Sequence, residues 1–481
     1  MPSMDMSQKL AKQIPTADIK KVTWLELFFD IIFALALTMS ARPLESIGDG
    51  STKVWSAFAQ FLMMFIFLII FWYRHMALIN RFHRSSFLAE VMTLFVGFLV
   101  IVFTQFIRIW KINPKVGSYL ATITIFLIVL SMACLYFLFS FRITEGGENE
   151  KKWARASGKH MLWESLGYLT ALIATPAVRP FWFIAVFIYF NRYVFVTWVN
   201  PKAKVDLPLE LQNIPMENLP HKAERMGLFS LLVYGLIVAL SASSLMEIDL
   251  ASAEGILNPI MAFGQMLFFI SIIWYIHYRL YDLTQPKGHQ FTTMTFVTLA
   301  LLVITTQLIR VLLVAPTDLI SVLFAVFTGL LLSVLGTIYW NIEKMTGIPP
   351  SEPIKIALKR WSYFLYVFAT AFFASIVFPH VIRETIWQIA LGVAFVALLL
   401  DRGLSVSFYM GTRMMKTRKF LDSPTVSGLS FIFIGLIIFF VTTVLLGKNL
   451  ASWWIFTWII PVVVGFFILL NHWLFKRIKP V

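Results

Sequence analysis

Of the 481 residues, 59% are hydrophobic and only 14% charged, where a soluble globular domain carries about 25% charge, so a soluble protein is excluded. The 47 Phe and 16 Trp suit a lipid-facing surface with tryptophan at its interfaces, and the single cysteine, Cys134, excludes an intrachain disulfide. The formal charge of +15 would suit nucleic acid, yet Lys and Arg gather between apolar runs, where they set topology and attract anionic lipid instead.

Residues 1–22 are polar and lead directly into a helix that carries carboxylates, so no removable signal peptide is expected. A run of about 20 apolar residues crosses a bilayer, and about fourteen follow. The first twelve cover 24–41, 54–78, 87–107, 118–140, 160–178, 181–199, 227–246, 258–281, 291–314, 318–340, 361–378 and 384–400. Two more cover 425–446 and 452–475. The expected architecture is an all-α, polytopic membrane protein. With the N-terminus in the cytoplasm, about 30 of the 40 Lys and Arg fall in inside segments and about 9 outside. That sorting predicts an even helix count, both termini in the cytoplasm, and residues 247–257 facing outward in the cell membrane.

The first helix places Glu26 and Asp30 one turn apart, hence on one face near its cytoplasmic start. Capping and a salt bridge to Arg74 or Arg81 would account for them, while a charge in lipid also marks a candidate ion or proton path. Ala34 and Thr38 follow on the same helix at small-residue spacing. The second run ends in "FWYRH" (71–75). Its Trp72 and Tyr73 suit an aromatic belt, whereas His75 is placed to hydrogen-bond to Asp30 or Glu90. The third run ends in "TQFIR" (104–108), a polar patch of Thr104, Gln105 and Arg108.

Much of this returns about two hundred residues later. "IWYIH" (273–277) repeats W-Y-x-H at an offset of 202, and "TQLIR" (306–310) repeats the patch as Thr306, Gln307 and Arg310 at the same offset. The first helix lies over "LFSLLVYGLIVALSA" (228–242) at 201, which sets Ala34 and Thr38 against Gly235 and Ala239. A duplication of this kind predicts two six-helix units that enter the membrane from the same side. The expected division is 1–22 as a cytoplasmic segment, 23–200 as the first repeat and 201–225 as a linker. The second repeat would occupy 226–401, a basic linker 402–424, and a helical hairpin with its tail 425–481. "GLSFIFIGLII" (428–438) and His472 echo the start and the histidine of a repeat.

"VTWLELFFDIIFALALT" (22–38) followed by "HKAERMGLFSLLVYGLIVALS" (221–241) resembles the bacterial low temperature requirement A proteins. Their signatures are an E-L-F-F-D first helix and an E-R-x-G-L-F helix opening the second half. Where members commonly carry glutamate after the glycine of the seventh helix, Leu236 follows Gly235 here. The resemblance implies a role in bacterial growth in the cold. The chain is also similar, more distantly, to the two-repeat lysosomal and prokaryotic potassium channels, whose repeats begin R-x-x-x-F-S-D and carry W-x-x-H. Arg225, Phe229 and Ser230 match in the second repeat and Phe28 and Asp30 in the first, while Leu231 replaces the second aspartate.

Passage of a small ion or solute at the repeat interface is therefore expected, with Glu26, Asp30, His75 and His277 as candidate path residues. A non-conducting scaffold or lipid-responsive protein is the alternative. Ala34, Thr38, Gly235 and Ala239 would pack the first helix on the seventh, and the two polar patches would interlock the repeats or line an outer vestibule. The expected partners are the bilayer, including anionic lipids, and a small ion or solute, with a homodimer compatible. No nucleic-acid partner, cofactor or metal is expected, because no cluster has metal-ligand spacing. The absence of a P-loop, G-x-S-x-G or H-E-x-x-H motif predicts no enzyme.

Overall fold

The computed structural model of the chain describes residues 22–47, 54–82, 86–142, 147–175, 177–199, 219–243, 253–283, 289–314, 317–345, 352–379, 382–387 and 389–394. The expected hairpin 425–475, the basic linker 402–424 and His472 lie outside the described residues, as do the chain's first 21. Within the described residues every regular element is helical.

The first half holds α1 (Trp24–Met39), α2 (Val54–Ile79), α3 (Phe87–Ile112), α4 (Pro114–Arg142), α5 (Glu148–Thr170) and α6 (Arg179–Val199). The second holds α7 (Leu219–Ser243), α8 (Ala253–Leu283), α9 (His289–Val314), α10 (Asp318–Met345) and α11 (Glu352–Ser375), followed by helical residues 382–387 and 389–394. Among the described residues six stretches are long and apolar enough to cross a bilayer: Trp24–Glu45, Val54–Ile79, Phe87–Ile107, Lys115–Phe141, Gln290–Leu312 and Asp318–Met345. That is fewer than the expected fourteen, and part of the difference is chemical. Helices α5 and α7 begin with charged turns, and α6 and α8 contribute only the shorter apolar stretches Phe181–Arg192 and Met266–Tyr278.

Local chemistry sets several helix ends. Thr23 Oγ1 accepts from Glu26 N–H while Glu26 Oε2 accepts from Thr23 N–H, both at 3.3 Å, a capping box that starts α1. Ser86 caps α3 through the Ala89 amide at 3.3 Å. Helix α5 stops at Thr170, short of the expected span 160–178, and Arg179 holds the carbonyls of the turn that follows it. The guanidinium donates to Ala171 O at 3.2 Å and Ala174 O at 2.9 Å, and to Ser118 Oγ on α4 at 2.8 Å. Arg383 does the same for α11, donating to Ser375 O at 3.3 Å and Phe378 O at 2.8 Å and reaching the Ser321 hydroxyl on α10. The arginines and their carbonyl partners are separated by 204 residues throughout (383 against 179, 375 against 171, 378 against 174).

Other bonds recur in the same way. Tyr136 of α4 donates to Arg74 O of α2 at 2.8 Å, and Tyr339 of α10 donates to Ile276 O of α8 at 2.7 Å. The tightest associations are α4 with α5, α3 with α4, and α10 with α11. The halves meet chiefly where α1 lies along α7, flanked by α2, α3 and α9. Helix α7 begins at Leu219, inside the stretch expected to be a cytoplasmic linker, and its first turns pack against α1.

Candidate functional site

The α1–α7 contact is built around a carboxylate. Asp30 is fully buried, and Arg225, itself fully buried, reaches it with Nη2 at 2.5 Å from Oδ1 and Nε at 3.3 Å from Oδ2. Trp72 of α2 donates its indole N–H to Oδ1 at 2.7 Å. The indole is held by Phe229, stacked at 4.0 Å between ring centres, and by the edge of Phe296 at 5.9 Å. One carboxylate thus joins α1, α2 and α7, with its charge met by a fork-shaped cation and a neutral donor. One turn away, His221 Nε2 lies 3.3 Å from Glu26 Oε2, and the Lys222 ammonium sits 5.6 Å from the Tyr73 ring centre. The segment His221–Lys222–Ala223–Glu224–Arg225 therefore buries three basic side chains against the first half, His221 facing Glu26, Arg225 facing Asp30 and Lys222 facing the Tyr73 ring.

Sequence reasoning proposed Arg74 or Arg81 as partner of the carboxylates and His75 as a partner of Asp30. Asp30 instead takes its bonds from Trp72 and Arg225. His75 stacks on Phe29 at 3.7 Å and lies 3.3 Å from Thr93 Oγ1. Trp72 and Tyr73 are buried in the core instead of standing in an aromatic belt. Trp274 and Tyr275 are half-buried, with Trp274 stacked on Tyr278 at 5.6 Å. His277 is buried between two phenols, its Nδ1 3.4 Å from Tyr234 Oη and its Nε2 3.5 Å from Tyr281 Oη.

The family model of the bacterial low temperature requirement A protein matches residues 21–400, which spans both halves and every residue of this contact. The chain belongs to that family. No curated protein matches it.

One further group in this low temperature requirement A chain escaped the sequence reading. In the first half Arg74 donates to Glu164 Oε2 at 2.7 Å and to Asn191 Oδ1 at 2.8 Å, and Asn191 donates back to Glu164 Oε1 at 3.2 Å. This network ties α2, α5 and α6 inside the first half. The available signal was a lone arginine and a lone glutamate in apolar runs, but nothing in the sequence pairs residues 90 apart. In the second half Ile276 stands where Arg74 would fall and Phe368 where Glu164 would, so both charges are absent together.

The remaining candidates divide. Ala34 and Thr38 are buried, Thr38 donating to Leu35 O at 2.8 Å. Gly235 and Ala239 are exposed, and a Cβ on Gly235 would meet nothing within 4 Å. Among the described residues only the α1 side of the expected small-residue contact is buried, while on α7 Arg225 meets Asp30 and Phe229 stacks on Trp72. Thr104 donates to Ile101 O at 2.7 Å and Thr306 to Leu302 O at 2.8 Å, so this pair serves its own helices. Gln105 is half-buried and Gln307 buried. Arg108 lies on α3, its side chain outside the described residues, while Arg310 bonds Glu45 Oε1 at 2.9 Å, linking α9 to the turn Arg42–Ile47 after α1.

Proposed function

We propose that this chain is a channel-like or transporter-like protein of the cell membrane, passing a small cation or solute at the interface between two parallel six-helix repeats. The observation that carries the reading is the Asp30–Arg225 pair, because ionised groups within a membrane are costly and mark functional pathways. It lies where the first helices of the two halves meet, which is where a path between parallel repeats runs. The recurrent Arg179 and Arg383 caps and the Tyr136 and Tyr339 bonds support the repeat assignment. Asp30 is neutralised and shielded from solvent, so it acts as a lock that must part, and an open acidic mouth able to capture cations is not its role in this conformation.

Flux into liposomes tests this. Asp30→Asn with Arg225→Met removes both charges and leaves Trp72 an acceptor. A lock predicts a folded double variant whose potassium or sodium flux differs from wild type by about tenfold or more, the effect of roughly 1.4 kcal/mol on a gating equilibrium. Wild-type and variant liposomes equally tight to both ions and to small solutes would favour the alternative, a non-conducting scaffold or lipid-responsive protein. That alternative draws on the complete burial of the pair.

A further inference from the structure

The buried histidines of the two halves stand at one offset, 202 residues apart, but in different chemistry. Ser230, Tyr234, Tyr281 and Thr295 group around His277, and the first half carries Phe29, Phe33, Ile79 and Thr93 at the equivalent positions, of which Phe29 stacks on His75 and Thr93 lies 3.3 Å from it. Three apolar side chains in the first half thus become hydroxyl-bearing ones in the second. If the second imidazole served packing alone, an apolar ring such as the Phe29 that stacks on His75 would suffice.

The hydroxyls form a connected row across α7, α8 and α9. Tyr234 Oη lies 3.4 Å from His277 Nδ1, and Tyr281 Oη lies 3.5 Å from Nε2. Tyr281 Oη also stands 3.4 Å from Ser230 Oγ and 3.4 Å from Thr295 Oγ1. Tyr234, His277, Ser230 and Thr295 are buried, and Tyr281 is half-buried. Two other buried tyrosines, Tyr136 and Tyr339, donate to backbone carbonyls at 2.8 and 2.7 Å. Tyr234 and Tyr281 place their hydroxyls beside an imidazole instead, so both ring nitrogens have a hydroxyl within 3.5 Å. A ring with one bare and one protonated nitrogen accepts on one side and donates on the other.

We propose that Tyr281, His277 and Tyr234, with Ser230 and Thr295, form a proton relay through the second half. The inference rests on the transport reading and names the proton as an ion the protein moves or couples to. In one pass Nε2 takes a proton from Tyr281 Oη while Nδ1 releases its proton to Tyr234 Oη. Tyr281, which is half-buried, is reprotonated by water, directly or through Thr295 Oγ1, and Tyr234 gives its own proton to water. Tyr281, His277 and Tyr234 each gain one proton and lose one, and no electron moves. The groups facing the imidazole are the two phenols and, through Tyr281, two neutral hydroxyls. The nearest charge on α7, Arg225, is already paired with Asp30.

The full-length protein in liposomes loaded with a pH-sensitive dye, with potassium and valinomycin setting the potential, tests this. Wild type should take up protons, and Tyr281→Phe, which keeps the ring, should lower uptake at least about tenfold, as His277→Gln should. Tyr281→Phe decides the matter should His277→Gln fail to fold. Proton uptake equal to wild type in Tyr281→Phe overturns the relay. Potassium flux without proton uptake in wild type overturns the relay and leaves the transport reading standing. Liposomes tight to both ions remove the transport reading itself.

Discussion

At the scale of single residues, burial converts ordinary side chains into structural commitments. Glu26 serves three purposes at once: it caps α1, faces His221, and lies one turn from Asp30. Asp30 is more constrained, because its partner Arg225 is also fully buried and removing one charge strands the other. Asp30→Asn should therefore cost about 3 kcal/mol, the low end for breaking a buried pair, because the amide still accepts from Trp72. Asp30→Asn with Arg225→Met should recover much of that loss, so the two changes will not add. Melting temperatures in detergent for the two single variants and the double variant measure the coupling. Additive losses would mean that the pair is not a unit. Trp72→Phe keeps an aromatic ring against Phe229 but removes the indole N–H, and should cost about 1.5–3 kcal/mol as a lost bond to a charged acceptor.

At the scale of elements, two arginines end two helices. The last carbonyls of an α-helix lack intrahelical partners, and in lipid no water replaces them. Arg179 donates to carbonyls of the turn just past α5, and Arg383 to Ser375 O at the end of α11 and Phe378 O beyond it. Arg179→Met should fray the end of α5, seen as faster amide hydrogen exchange over residues 170–175, with the α11 end unchanged. Arg383→Met should do the reverse. Accelerated exchange at both ends from either substitution would show one coupled unit. These helix ends were poorly legible in the sequence, since residues 160–178 read as one apolar span. The break comes from a side chain beyond the helix, folded back onto it, and hydropathy does not register that.

At the scale of the whole molecule, the polar contacts that join the halves among the described residues include the buried Asp30 cluster and the half-exposed Glu45–Arg310 pair. The outer pair adds little stability, about 0–1 kcal/mol, but it reports the approach of the halves. Cysteines replacing Glu45 and Arg310, in a Cys134→Ser background, should be joined by a short bifunctional thiol reagent. The product would hold the halves together after proteolysis between them, and separated halves would refute the contact. Topology is tested independently. A cysteine replacing Ser252 in the same background should react with an impermeant thiol reagent from outside, and reaction from the cytoplasmic side alone would invert the proposed orientation.

The sequence by itself determined that the chain is helical and membrane-embedded, because hydropathy over about 20 residues reports partition into lipid whatever the neighbours are. It also determined family membership, through E-L-F-F-D at the first helix and E-R-x-G-L-F at the seventh. It marked Asp30, His75 and His277 as unusual, since polar groups in apolar runs stand out. Their partners were decided only by tertiary structure. Asp30 meets Arg225 across 195 residues and Arg74 meets Glu164 across 90. Periodicity carries no record of such pairings, because helices surrounded by lipid and by each other are apolar on every face. Trp72 shows the same limit: tryptophan near the end of an apolar run suits an interface, yet here a carboxylate from a neighbouring helix draws its indole N–H into the core. Which face of a helix meets which neighbour depends on the packing of the whole bundle.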